Sequence, residues 1–509
     1  MQLLNIVLIL LIGGGYNTEI DPDARDYRSS RLVCAKLYEG GLLACTSIVN
    51  SIKKRPYVAR IPEFELNVKL IGKHAEKALQ YHTTYAYIGA GLALCAYLFN
   101  FISSTISALF VTAAIILICV KSMYLDKNIA INNFSKKIFN PGYNLSGVAA
   151  EHNIIETDLN IKQNVITFGG YYPFIGAGRR ARNWNFSIDS SKTSKKPDDS
   201  KLNLPSEIST EELYNVVQEG IIKKCLPNIS QDYILFADGN EVDKSKKLLP
   251  NRVGEPIDNL ELSDLIREGH SSLYNDWRTY FCLQYHDKLR STLFSTFLRF
   301  SKVGTDIFAE CSFYILPPID ENRFNIDRLA LNDDLHIIKT GLITIVSVVV
   351  ALLMMSSDGL SGLPPFILII LTLYPLFIVF KGRFREFSEK KDLKKKIERG
   401  EPHNYGATST FREAIASPNY KNYFSAQDII MVQNSIEQAI IYSVADILDS
   451  KGIDSSFLRK EMIAYVNQGI MMFGGKIEAD QIATGIGSQA IKQIKDQVQK
   501  LNPIHSEAK

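Results

Sequence analysis

The chain has 509 residues, 22% of them charged, with 57 Lys and Arg against 54 Asp and Glu and a formal net charge of +3. That near balance excludes a general nucleic-acid binder, which needs a basic excess to neutralise phosphates. The length leaves room for two regions of domain size. The seven cysteines include no C-x-x-C pair and the eight histidines no H-x-x-x-H or Cys/His cluster, which reads as reduced thiols without a zinc site.

The opening MQLLNIVLILLIGGG is apolar but lacks the basic start and clear cleavage site of a signal peptide. A buried strand or helix, a signal sequence and a short anchor all remain open readings of it. Residues 25–80 carry helical spacing: Leu32, Ala35, Leu37, Leu42, Leu43 and Ile48 form an apolar face, and a further segment starts at Phe64. Lys69, Lys73 and Lys77 lie on one face of that segment, as a solvated surface would.

From Thr83 to Val120 no residue is charged. The stretch is too long for one membrane helix and predicts two, turning near Asn100–Thr105, each of about 17 residues and roughly 25 Å. Tyr81, Tyr85 and Tyr124 flank them, where aromatic rings favour a headgroup layer. A second apolar pair, Thr340–Met355 and Pro365–Phe380, turns around Asp358 and Gly359. Basic flanks at Lys77, Lys121 and Lys381 against charge-poor tips place every large segment on the cytoplasmic side. The expectation is an α+β protein with two transmembrane helical hairpins in a bacterial inner membrane and a mainly helical tail. Its expected parts are 1–82 (helical segment), 83–121 (first hairpin), 122–338 (α+β domain), 339–381 (second hairpin) and 382–509 (tail).

Between the hairpins, strand composition marks Asn164–Gly170 and Trp184–Asp189, and Ser190–Ser206 reads as a polar loop. Ser209 and Glu212 make a capping box for a helix carrying Leu213, Val216, Val217, Ile221 and Ile222. A short strand at Tyr233–Ala237 precedes three consecutive ones at Trp277–His286, Thr292–Val303 and Asp306–Leu316. Gly304-Thr305 supplies hairpin-turn chemistry, and Pro317-Pro318 ends the last strand. Asp306 and Glu310 on that strand read as solvated or salt-bridged. In the tail, Ser425–Ser450 predicts a long helix with a seam of Ile429, Val432, Ile436, Ile440, Val444 and Leu448, stopped by Gly452. The glycine-punctuated stretch beyond it predicts small strands that contact other copies.

One soluble segment is distinctive: FGGYYPFIGAGRRARNWNF, Phe168–Phe186. Gly169, Gly170, Gly176 and Gly178 bring backbone N–H groups close to a ligand, and Arg179, Arg180 and Arg182 supply charge for a phosphate or carboxylate. The competing reading is a connection pinned by packing of Tyr172, Phe174, Trp184 and Phe186. Neither the dinucleotide fingerprint nor the P-loop is matched, and no nucleophile elbow, metalloprotease motif or kinase set occurs. No catalytic residue, metal ligand or cofactor is expected.

The early SSRLVCAKLYEGG, the motif GGYYPFIGAGRRARNWNF, the run WRTYFCLQYHDKLRSTLFSTFLRF with FAECSFYILPP, and the tail YFSAQDI to NQGIMMFGGKIEADQIATG stand in one order. In these pieces the chain resembles a family of uncharacterised multi-pass bacterial membrane proteins of actinobacterial type. That resemblance implies the architecture above and carries no catalytic residues. The reading reached is a non-enzymatic membrane protein with a cytoplasmic sensing or scaffold domain. Its expected partners are the lipid bilayer, further copies bound through the tail, and an unidentified cytoplasmic ligand or protein. Two alternatives are an oligomeric membrane-disrupting effector of anti-phage defence and an enzyme acting on a membrane-proximal anionic substrate.

Overall fold

A computed structural model describes residues 28–52, 61–135, 165–193, 205–224, 229–241, 277–287, 291–320, 401–418 and 423–456, with isolated positions beside and between them. The chain divides into two compact units, one built from residues 1–162, 319–405 and 409–415, the other from 163–318, 406–408 and 416–509.

The first unit is helical. Helices α1 (Arg28–Glu39), α2 (Gly41–Ile52), α3 (Val68–Phe99) and α4 (Ser104–Val120) lead through a five-residue π-helical turn, Lys121–Leu125, into α5 (Asp126–Phe134). Gly41 at φ 72° allows the reversal between α1 and α2. Asn67 caps α3 by accepting the Leu70 N–H at 2.9 Å. Val33, Leu37, Tyr38, Ile71, Ala75, Ala78 and Phe134 form the core. Helices α3 and α4 form a tight hairpin because the facing residues are small: Ala93 meets Ala114, and Ala96 meets Val111. The Ser107 hydroxyl donates to the Ala96 carbonyl at 2.8 Å across that contact.

The turn between α3 and α4 falls where the apolar pattern predicts it, but the membrane expectation is corrected. Among the described residues no helix is long and apolar enough to cross a membrane. Helix α4 is uncharged but has only 17 residues. Helix α3 has 32 residues, yet its first half carries Lys69, Lys73, Glu76 and Lys77 and its second half is diluted by Thr, Tyr and Gly. The 83–121 segment is therefore a helical hairpin within an α+β chain, and neither of its helices is long and apolar enough to be the expected span. Thr340–Met355 and most of Pro365–Phe380 lie outside the described residues, as do residues 1–15, most of the 190–206 loop and the glycine-rich end of the tail.

The second unit is a six-stranded mixed sheet. Its strands are β1 (Val165–Phe168), β2 (Arg179–Asp189), β3 (Ile229–Asp238), β4 (Trp277–Asp287), β5 (Thr292–Val303) and β6 (Asp306–Leu316). They lie in the order β1-β3-β4-β5-β6-β2. Only β1 and β3 run parallel; the other neighbours are antiparallel. The β4–β5–β6 meander follows the predicted strands to within a residue, with Gly304 at φ 63° in its second turn. Helix α6 (Thr210–Lys223) starts at the predicted capping box, both of whose hydrogen bonds form. Helix α7 (Tyr423–Ser450) ends before Gly452, which adopts φ 75°.

One sheet face packs on these two helices. Register places Phe281 beside Leu298, Leu298 beside Cys311 and Cys311 beside Trp184, a buried row across four strands. Leu213, Val217 and Ile221 of α6 and Ile436, Ile440, Val444 and Leu448 of α7 close over it. On the other face, Phe174 lies 4.5 Å from the Phe297 ring and about as near to those of Phe236, Tyr280 and Tyr314. Trp184 is buried and stacks on Phe186 with ring centres 5.0 Å apart. Trp184→Ala should cost roughly 3–5 kcal/mol, the range for core truncation of an aromatic. Urea denaturation checks this, and an unchanged midpoint contradicts the packing described.

Candidate functional site

The seven residues of the glycine–arginine segment have different roles in the structure. The Gly169 N–H is already used, donating to the Ala407 carbonyl at 2.7 Å. Gly176 and Gly178 have φ of 89° and 86°, so their backbone conformation itself calls for glycine. A side chain at Gly178 would also put its Cβ 2.3 Å from the Ile315 carbonyl oxygen. Gly170 differs: nothing lies within 4 Å of where its Cβ would stand.

The arginines separate as well. Arg179 and Arg180 are exposed at the start of β2, and Arg179 Nη1 donates to the Pro418 carbonyl at 2.7 Å. Arg180 stands near Tyr314, whose phenol burial pushes up to about 12 while the guanidinium pulls it down. A bulge between Arg180 and Arg182 leaves Arg182 on the face opposite Arg180. There its Nη1 meets Glu437 Oε2 of α7 at 3.4 Å. The surface left by the segment is Gly170, the exposed Tyr171–Tyr172 pair with ring centres 4.9 Å apart, and Arg180.

The Arg182–Glu437 contact belongs to a buried polar group between β2 and α7. The Glu437 side chain is 0% exposed and that of Arg182 is 18%. Burial raises the Glu437 carboxyl above the usual carboxylate range, and Arg182, Trp184 and Gln433, in that order, pull it back. Cys311, next to Trp184 in register, has its thiol raised by the same burial and by Glu437. The sequence holds a signal for this group: Gln433 and Glu437 interrupt the apolar seam of α7 one turn apart. On the other sheet face the Tyr280 hydroxyl donates to Glu310 Oε1 at 2.6 Å, and Arg299 Nη1 lies 3.8 Å from it. Glu310 is thus the ion-paired strand carboxylate expected.

The helical unit contains a second polar group that flank-charge reasoning misses. Lys121 opens the π-helical turn, a geometry that re-aims side chains and recurs at functional sites. Its Nζ donates to both Asp126 oxygens, at 2.9 and 2.7 Å, and to His82 Nδ1 at 2.9 Å. It also sits over the rings of Tyr81 and Tyr85, 5.1 and 5.8 Å from their centres. His82 Nε2 lies 2.9 Å from the Leu37 carbonyl, so Nε2 carries the proton and Nδ1 accepts from Lys121. Burial, then the Lys121 charge, lowers the His82 pKa to about 3, against the hydrogen bond to Leu37. Burial raises Asp126, with Lys121 opposing.

These arrangements hold charge; they do not expose a nucleophile. Burial raises the thiols of Cys34, Cys45, Cys282 and Cys311, which leaves them protonated at neutral pH. Among the described residues no group of His, Cys, Asp and Glu is placed to hold a metal ion.

Two measurements test this geometry. Gly178→Ala should lose at least about 2 kcal/mol through its positive φ and the overlap with β6, while Gly170→Ala should be nearly neutral. Equal melting temperatures for the two variants would contradict the assignment. His82 tests the helical group. Its folded pKa lies below the unfolded value, so stability is present above the unfolded pKa of about 6.5 and is lost as pH falls towards 3. The raised Asp126 acts in the other sense, adding stability at low pH that fades as pH rises. Between pH 7 and 5 the wild type should therefore lose up to about 2 kcal/mol that His82→Gln retains. Parallel pH profiles in urea would refute it.

A family model of the AbeC-like domain matches residues 183–478, more than half of the chain, from the middle of β2 to beyond α7. No curated protein and no solved structure matches. The chain belongs to the AbeC-like family.

Proposed function

We propose that this AbeC-like chain acts in bacterial anti-phage defence of the abortive-infection kind, as a sensing or scaffold protein without catalysis of its own. The observation that carries the reading is the family match over residues 183–478, since AbeC-like domains point to abortive infection. The chemistry of the described residues supports a non-catalytic role: Lys121 with Asp126 and Arg182 with Glu437 are ion pairs, and burial keeps the thiols of Cys34, Cys45, Cys282 and Cys311 protonated. The surface around Gly170, Tyr171, Tyr172 and Arg180 is where an anionic ligand would be recognised, with Arg179 at its edge. The membrane-disrupting alternative ranks behind, because no described helix supplies the spans it requires.

The test is a plating experiment with the full-length chain, expressed in its native gene context, against a panel of phages. Protection of at least tenfold in plaque number, with loss of infected cells at high phage input, is expected. Trp184→Ala should abolish it, and Arg180→Glu should weaken it without lowering protein level. Equal plaquing on wild-type and empty-vector cells across the panel, with the protein accumulating normally, would overturn the reading.

A further inference from the structure

We propose that the outer edge of β2 is a self-association surface, on which a second copy of this chain adds its own β2 antiparallel across a two-fold axis. The sheet has two terminal strands, β1 and β2. The outer edge of β1 is occupied: Ala407 donates to the Thr167 carbonyl at 3.0 Å and accepts from Gly169 at 2.7 Å. No strand among the described residues pairs with the outer edge of β2.

An uncovered edge is a template for another strand, and proteins usually blunt it with proline, inward charges, a bulge or shortness. β2 is 11 residues long and contains neither Pro nor Lys, and its one inward charge, Arg182, is paired with Glu437 beside the basic end. Its single bulge lies between Arg180 and Arg182, near one end, and leaves the pairing with β6 regular from Arg182 to Asp189. Trp184 and Ile188 are buried on the helix side and hold the strand down, while Asn183, Asn185 and Ser187 are exposed on the other.

Charge selects the occupant and its direction. The basic end carries exposed Arg179 and Arg180; the other end carries Asp189, paired across the ladder with Asp306 of β6. Arg179 and Asp189 are equally far from Trp184 along the strand. A two-fold axis there sets the arginine end of each copy beside the acidic end of the other, twice by symmetry. A parallel copy would set arginine against arginine, and like charges across strands are destabilising. Each end keeps its contacts within the chain, Arg179 to the Pro418 carbonyl and Asp189 to Ser191 and Lys192. The Pro418 carbonyl leaves the charge of Arg179 in place, and Lys192 offsets Asp189 while Asp306 beside it keeps that end acidic. One strand pair is small beside the ~1,600 Å² of a stable complex, so the dimer should dissociate on dilution through the micromolar range.

Light scattering coupled to gel filtration, on the full chain between about 1 and 100 µM, reads the assembly. Wild type should pass from dimer to monomer on dilution. Arg180→Glu and Asp189→Arg should each weaken the dimer about tenfold or more, and the combined variant should restore it. Asn185→Pro should weaken it as well, with near-ultraviolet dichroism confirming that each variant remains folded. Arg180 is exposed, so its reversal carries the test even where another variant does not fold. A monomer at 100 µM, a dimer indifferent to Arg180→Glu, or a combined variant that stays dissociated would each overturn the proposal.

Discussion

The sheet unit depends on how α7 is seated on β2 and the meander. Most of that contact is apolar, and Ile436, Ile440, Val444 and Leu448 supply burial that is favourable at many rotations of the helix. Arg182 and Glu437 are different, because a buried charge is tolerated only where its partner is. Removing either one alone would leave an uncompensated ion at a cost of about 3–5 kcal/mol, whereas replacing both with apolar groups is often neutral. The pair therefore contributes position more than stability. It allows one rotation of α7 against the sheet, the one that brings Gln433 and Glu437 to Trp184. The bulge after Arg180 belongs to the same constraint: Arg182 shares the face of Trp184 by simple alternation, and the extra residue, Ala181, sends Arg180 to the other face.

The helical unit solves a similar problem with a cation. Lys121 follows the last residue of an uncharged helix, where an ordinary α-helical turn would carry it round by 100° per residue. The π-helical turn changes that phase and directs the ammonium at Asp126, His82 and the Tyr81 and Tyr85 rings. One side chain thereby links α3, the turn and α5. His82 extends the link to α1 through the Leu37 carbonyl. An imidazole held between an ammonium and a carbonyl is useful only while neutral, and this arrangement keeps it so.

What the sequence discloses follows from the range of the forces involved. Local signals read directly: the capping box at Ser209 and Glu212, the glycine turn at Gly304, and the alternating runs that became β4, β5 and β6. The helical hairpin also read correctly as a hairpin. Its uncharged run overstated the spans, because uncharged Ala, Gly, Ser and Thr suit close helix packing as well as lipid. Ala93, Ala96, Ser107 and Ala114 are buried between the two helices. The glycine–arginine segment was legible as a motif but not as a geometry. A single bulge decides which arginine faces solvent, and nothing in RRAR announces it. The Lys121 group was invisible for the same reason: its members are far apart in sequence, and a π-helical turn has no composition of its own.

The extent of the family match gives the sheet a physical division. It begins at Asn183, one residue past Arg182, and takes in the regular part of β2, the meander and α7. That set contains the buried row from Phe281 to Trp184 together with Gln433 and Glu437. β1, the glycine turn and the three arginines precede it. The matched part requires Glu437 to be neutralised, by a proton or by a cation supplied from outside, because its carboxyl is fully buried. In this chain Arg182 supplies that cation from the segment immediately before the match. The residues that dress the sheet edge are thus tied to the matched core beneath by one ion pair. A change in the arginine segment is felt at α7, and Arg179 and Arg180 remain at the surface on a strand whose position that pair fixes.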